Sequence, residues 1–307
     1  ASPSHLPRRF MALIVLKIDV DTLRGTREGV PNLARMLREH EAGATFLFSL
    51  GPDHTGWALR RAFRPGFLKK VSRTSVVEHY GFRTLMYGVL LPGPDIGRKA
   101  AAEMRAIGEA GFETGIHTWD HVLWQDNVRQ RDAGWTARQM TAAHARFTQV
   151  FGKPPVTHGA AGWQMNDHAF RQIDNWGMAY ASDGRGTHPY IPSVDGKALN
   201  HVQLPTTLPT LDELIGVEDI TLDNVARHIL KMTESDRDQV FTLHAELEGQ
   251  KLAPIFSELL RGWRAQGHRL GSMGDYYATL DRSTLPVQPV TWGEVAGRSG
   301  SLIVQPA

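Results

Sequence analysis

Apolar positions in this chain come in short runs separated by amphipathic stretches. Residues 12–18 form an apolar run of strand length that stops at Asp19, Val20 and Asp21. Such a run predicts a strand buried on both faces, as in parallel sheets. Helical periodicity follows from Pro31 to about residue 40, with the proline near the start, where its missing N–H costs nothing. Residues 44–50 are a second apolar run, closed by Gly51 and Pro52. The alternation then continues with a helix over 99–110 stopped by Gly111, a strand over 113–116 running into His117, and a helix over 136–150. A strand over 156–161, a helix over 167–176 and a strand over 178–181 lead to Ser182 and Asp183. An extended stretch at 202–204, a helix over 222–232, a strand over 240–243 ending at His244 and a helix over 254–266 stopped by Gly267 complete the series. Strand and helix alternate about seven times, which predicts an α/β fold with parallel strands. No repeat or linker divides it, so residues 11–307 read as one domain. Residues 1–10 read as a disordered or cloning-derived tail, and the proline- and glycine-rich stretch from 284 onward as a tail wrapping the body.

Composition sharpens this by exclusion. An apolar fraction of 41% is ordinary for a globular core. A net charge of +2 gives no global reason to expect nucleic-acid binding. The chain has no cysteine, which excludes disulfides, thiolate metal ligands and a cysteine nucleophile. No run approaches the roughly 18 apolar residues of a spanning helix.

The polar residues at strand ends carry the chemistry. Asp19, Asp21, His117, Asp183 and His244 all fall just past predicted strands. In a barrel those ends share one face, and in an open sheet they line a crevice. His117 and His121 are four apart and on a helical turn would share one face, ready for a cation. With 14 histidines such a pair also arises readily by chance, as two surface residues. Asp19 and Asp21 point the same way from an extended segment, and two such carboxylates repel without a cation between them; the other reading is a turn or helix cap. Asp21, His117 and His121 would leave open positions on one divalent ion, for which zinc, manganese, iron and cobalt all qualify. Asp19 is then the candidate base for water. His244 is the candidate acid for the leaving amine, with Asp183 to orient it; otherwise His244 is a hydrogen-bonded core histidine. Asp120 is either a partner of the ligands or exposed. Arg185, between two glycines, either offsets Asp19 or binds a substrate phosphate, or is a surface loop arginine.

Asp19-Val20-Asp21, His117-Thr118-Trp119-Asp120-His121 and Leu243-His244 resemble the first, second and last motifs of the polysaccharide deacetylase family, with its NodB-like catalytic domain. The resemblance implies a distorted (β/α) barrel, here of about seven parallel strands, a metal-dependent amide hydrolase, and the residue roles above. The family's third motif usually carries an arginine. Residues 158–163 stand in its place without one, so Arg185 is the candidate for its charge-balancing role. Longer segments (18–31, 160–163, 182–186, 208–213, 244–249 and 296–298) resemble a narrower branch that deformylates a lipid-linked amino sugar. That likeness runs from about Met11 nearly to the C-terminus. It implies a polyprenyl-phosphate-linked sugar as substrate, the cytoplasmic face of the bacterial inner membrane as location, and lipid A modification with resistance to cationic peptides as the outcome. A deacetylase of another acetylated sugar and a non-catalytic carbohydrate-binding barrel are the competing readings.

Residues 53–97 break the strand–helix rhythm as an insertion. Arg60, Arg61, Arg64, Lys69, Lys70 and Arg73 lie among Trp57, Leu59, Phe63, Phe67 and Val71, with no acidic residue between Asp53 and Glu78. Leu59, Phe63, Phe67 and Val71 recur every four residues, and Pro65 divides them into two short helices. A basic amphipathic segment at about 57–73 suits an anionic membrane surface; alternatively it docks on the barrel with a solvated basic face.

Overall fold

Strand β1 (Leu13–Val20) is buried along its whole length, and its two faces divide by parity. Ile14, Leu16, Ile18 and Val20 enter the large core under the helices, whereas Leu13 and Val15 join an inner cluster with Leu47, Val202, Leu204 and Val240. Because side chains alternate along a strand, Lys17 and Asp19 follow Leu13 and Val15 on the inner face. The computed structural model describes residues 9–58 and 81–307.

β1 is the centre of a parallel sheet with β2 (Thr45–Ser49), β3 (Glu113–Thr118), β4 (Gln239–His244) and β5 (Arg269–Gly271), in the order β3-β2-β1-β4. β5 pairs with the first residues of β1 on the edge that β2 takes over from Lys17 onward. Beyond β3 the series continues through one or two backbone hydrogen bonds at each step. Gly159 N–H donates to Ile116 O, Ser182 to His158 O, and Leu204 to Ala181 O. Thr207 N–H then donates to Val240 O, on β4. The hydrogen-bonded segments therefore return from β3 to β4, but regular pairing is confined to the five-stranded sheet and short pairs such as Tyr180–Ala181 with Val202–Gln203. The predicted strand over 156–161 shrinks to a bridge between Ile116 and His158. Pro154 and Pro155 offer no N–H to a ladder, and a 3-10 turn follows at Ala161–Trp163.

The helices are α1 (Val30–Glu39), α2 (Ala101–Glu109), α3 (His121–Asn127), α4 (Ala133–Phe151), α5 (Asp167–Asn175), α6 (Val225–Met232) and α7 (Ala253–Gln266). α1, α2, α4, α6 and α7 line the large core, while α3 and α5 join part of α4 in a second cluster. In α1 the buried Val30, Leu33, Ala34 and Leu37 form one stripe at helical spacing. Each large apolar side chain so buried contributes about 1.5–3 kcal/mol. Asp132 and Asn166 cap α4 and α5 by accepting from Trp135 N–H and Ala169 N–H.

Two terminal features add to the body. Phe10, read from sequence as tail, donates its N–H to Gln266 O and stacks on His268. Near the C-terminus, Thr291–Glu294 and Ser301–Val304 form an antiparallel hairpin against residues 184–185. The expectations for residues 1–8, and for the basic amphipathic segment beyond Ala58 up to residue 80, lie outside the described residues.

Candidate metal centre and hydrolytic site

Parallel pairing of β1 with β4 sets Asp19 opposite His244. Asp21 follows one residue beyond β1, in a turn fixed by Glu246: one Glu246 oxygen accepts from Asp21 N–H at 3.0 Å and from the N–H and hydroxyl of Thr22, each at 2.9 Å. His117 comes from β3. His121 is the first residue of α3, so the two imidazoles do not share a helical turn, as spacing alone suggests. A strand end and a helix start present them instead, because Asp120 breaks the backbone between them. Its carboxylate caps α3 by accepting from Leu123 N–H at 3.1 Å and pairs with His54 Nδ1 at 2.5 Å, so Asp120 is buried rather than exposed.

Asp21 Oδ1 lies 3.1 Å from His117 Nε2 and 3.4 Å from His121 Nε2. His117 Nδ1 is 2.6 Å from Gly159 O. A carbonyl only accepts, so Nδ1 carries the proton and Nε2 is left with its lone pair. Asp21 Oδ1 is buried without a hydrogen-bond donor. The three ligand atoms all fall within 4.8 Å of one another. A tetrahedral ion with bonds of about 2.0–2.1 Å separates its ligands by roughly 3.3 Å, so this donor set fits one divalent cation. Burial alone would raise the Asp21 carboxyl, but His121 and His117 hold it well below the usual range.

The proton-transfer candidates flank this trio. Burial disfavours charge on His244, yet Asp21, Asp212, Glu248 and Asp19 together raise its pKa. Its backbone N–H donates to Glu248 at 2.8 Å. Burial pushes Glu248 up to about 7, and pushes Glu246, beside the Asp21 charge, up to about 8.

Two expected partnerships are absent among the described residues, and others replace them. Asp183 does not orient His244. It lies 2.6 Å from His158 Nδ1 and accepts from Gln203 Nε2 at 2.7 Å, because its turn follows the strand next to His158 rather than β4. His158 outweighs burial and lowers the Asp183 pKa. Arg185 does not offset Asp19. Its guanidinium is bound to both Glu213 oxygens, at 2.5 and 3.2 Å, and lies over the Trp163 ring. The cation at Asp19 is Lys17, at 3.6 Å. Lys17, Glu246, Glu248, Asp212, Trp163 and His54 were not singled out from sequence. Two signals were present: a lone cation inside an apolar strand run, and acids two and four residues after His244.

No family model matches the chain. It is 39% identical over 245 residues, 80% of this chain and 79% of the relative, to a "probable 4-deoxy-4-formamido-L-arabinose-phosphoundecaprenol deformylase ArnD" of Shewanella sediminis. A protein of the same name from Wigglesworthia glossinidia brevipalpis is 28% identical over 283 residues, 92% of this chain and 98% of the relative. In fold, the chain resembles a crystal structure assigned as a polysaccharide deacetylase from Mycobacterium smegmatis, with TM-score 0.63, 17% identity, and coverage of 96% of this chain and 99% of that one. At that identity the likeness speaks for the fold alone.

Proposed function

The chain belongs to the family of 4-deoxy-4-formamido-L-arabinose-phosphoundecaprenol deformylases and is a hydrolase of amide C–N bonds; from that premise we propose that it removes formyl from undecaprenyl-phosphate-linked 4-deoxy-4-formamido-L-arabinose, yielding formate and the free amino sugar for lipid A modification. The observation that carries the reading is the register of β1 and β4, which sets Asp19 beside His244 at the rim of the Asp21–His117–His121 trio.

In this reading Asp21, His117 and His121 hold the divalent cation, for which zinc, manganese and cobalt are candidates. When bound, the cation supplies Lewis-acid charge to the formamide carbonyl and the attacking water. Asp19 accepts the proton of that water as its oxygen bonds to the formyl carbon. His244 donates a proton to the sugar nitrogen as the C–N bond breaks, so the amine leaves neutral. The raised pKa of His244 suits a donor that must be protonated near neutral pH.

The lipid tail and phosphate of this substrate call for a surface site. We infer contact with an anionic membrane through residues at about 57–73, on the cytoplasmic face of the inner membrane. Phe82 and Leu90, at 70% and 74% exposure, are apolar groups on the described flank of that segment. No helix among the described residues is long and apolar enough to cross a membrane.

The test is product analysis with the formylated lipid-linked sugar, an acetylated counterpart and acetylated oligosaccharides. Metal-dependent release of formate from the first, exceeding acetate release from the others by about 10-fold or more, is expected. One methyl in a pocket is worth about 1–3 kcal/mol. Acetate release from oligosaccharides with no formate release would refute the reading.

A further inference from the structure

We propose that Lys17 is a positioning residue, whose buried ammonium fixes the Asp19 carboxylate and supplies its counter-charge. The inference rests on the reading of Asp19 as the base. Lys17 is fully buried, and Nζ has no hydrogen-bond partner. Asp19 Oδ1, 3.6 Å away, also has none. A lone ammonium in an apolar interior is expensive, so a lysine kept in this strand needs an anion within reach. Among the described residues Lys17 is the only lysine or arginine within ion-pair distance of Asp19. His117 approaches Asp19 Oδ1 at 3.8 Å, but its Nδ1 proton is committed to Gly159 O.

The surroundings are shaped for this side chain. Lys17 and Asp19 are two residues apart on the inner face of β1, so the lysine must run along the strand to reach the carboxylate. Gly159 leaves it room: a Cβ there would stand 2.9 Å from Lys17 Cε and 2.3 Å from Leu47 Cδ1. The Trp163 ring closes the other side, with its centroid 5.4 Å from Nζ, near enough for a cation–π contact. An ammonium without a hydrogen-bond acceptor, walled by a glycine and an indole, has Asp19 as its anionic partner.

The test is a double-mutant cycle in zinc-saturated protein with Lys17→Met, Asp19→Asn and both together. Formate release and thermal unfolding are read in parallel. Lys17→Met is expected to lower kcat about 100-fold with KM within about 3-fold, the scale of a misplaced catalytic group. Asp19→Asn leaves the ammonium alone and lowers the unfolding temperature. Adding Lys17→Met to Asp19→Asn should raise that temperature by about 5 °C, with no further loss of activity. A kcat for Lys17→Met within about 3-fold of the parent, or unfolding shifts that simply add, would overturn the proposal. If the parent releases no formate, the functional reading fails, and the unfolding cycle still decides whether Lys17 and Asp19 are coupled.

Discussion

Asp19 and His244 meet because two parallel strands place them at the same level, and each then takes its character from its neighbours. Asp19 sits against a lysine; His244 sits among carboxylates. The carboxylates around His244 suit an acid kept protonated. Asp19→Asn and His244→Gln should each lower kcat by about 10²–10⁴-fold, the usual worth of general acid–base catalysis, while the protein still binds one divalent ion. Steady-state formate release beside metal analysis checks this; unchanged kcat in either variant would remove that residue from the chemistry. At this scale the sequence was legible where chemistry sits at strand ends: Asp19, Asp21, His117, His121 and His244 do come together. It was not legible where a side chain's partner depends on which strands are neighbours. Asp183 finds His158 because its segment adjoins residue 158, and Arg185 finds Glu213, a capping-box residue 28 positions away.

The turns that follow β1 and β4 are built as one unit. Each contains a short π-helical stretch, Gly25–Gly29 and Leu247–Lys251, and the two touch. A Cβ on Gly249 would fall 2.7 Å from Gly29 Cα, and one on Gly29 would fall 2.0 Å from Ala245 O. Only glycines allow this approach, which brings the acids of the β4 turn beneath the Asp21 turn. Gly29→Ala should therefore cost about 1–3 kcal/mol through forced backbone shifts, read as a lower denaturation midpoint. A midpoint within experimental error of the parent would refute the close packing. Glu248 gives a pH signature. Its folded pKa of about 7 exceeds the ordinary 4.5, so its contribution to stability is fully present below pH 4.5 and is lost as pH rises through 7. Glu248→Gln removes that loss while retaining an acceptor for His244 N–H. The variant should gain on the parent between pH 4.5 and 7, by up to about 3 kcal/mol at pH 8. A stability difference that does not change with pH would contradict the assignment. Long helices such as α4 and α7 were readable to within a few residues because periodicity and caps agree. The short strands Tyr180–Ala181 and Val202–Gln203 also fall within apolar stretches that read as extended. The π-helical turns were not legible, since they exist only through their partners.

Across the whole molecule, the C-terminal hairpin joins elements distant in sequence. Ile303 O accepts from Arg185 N–H at 2.9 Å, and Gln305 N–H donates to Arg185 O at 2.7 Å. Arg298 Nε donates to Glu213 at 2.7 Å, and its guanidinium lies over Trp163, the ring that also faces Arg185 and Lys17. The tail thus wraps the body, and does so at the site. Truncation after residue 290 should lower the unfolding temperature by at least about 5 °C and reduce kcat at least 10-fold, because it strips buried Ile303 and uncovers Glu213. Calorimetry and formate release on the truncated chain check this; parental values in both would mean the hairpin is dispensable. The alternation of strands and helices was evident from hydrophobic runs. The confinement of longer pairing to the five-stranded sheet was not, because Pro154, Pro155 and the irregular backbone near Trp163 interrupt pairing without interrupting apolar patterning.

Asp21, His117 and His121 form one candidate cation site, and Asp19 and His244 stand beside it without being needed to hold the ion. Titration of chelator-treated protein with zinc, followed by isothermal calorimetry, tests this most directly. One ion per chain is expected in the parent, in Asp19→Asn and in His244→Gln, with affinity lowered by at least about 100-fold on replacing Asp21, His117 or His121 with alanine. Unchanged affinity in all three alanine variants, or loss of the ion in His244→Gln, would contradict it.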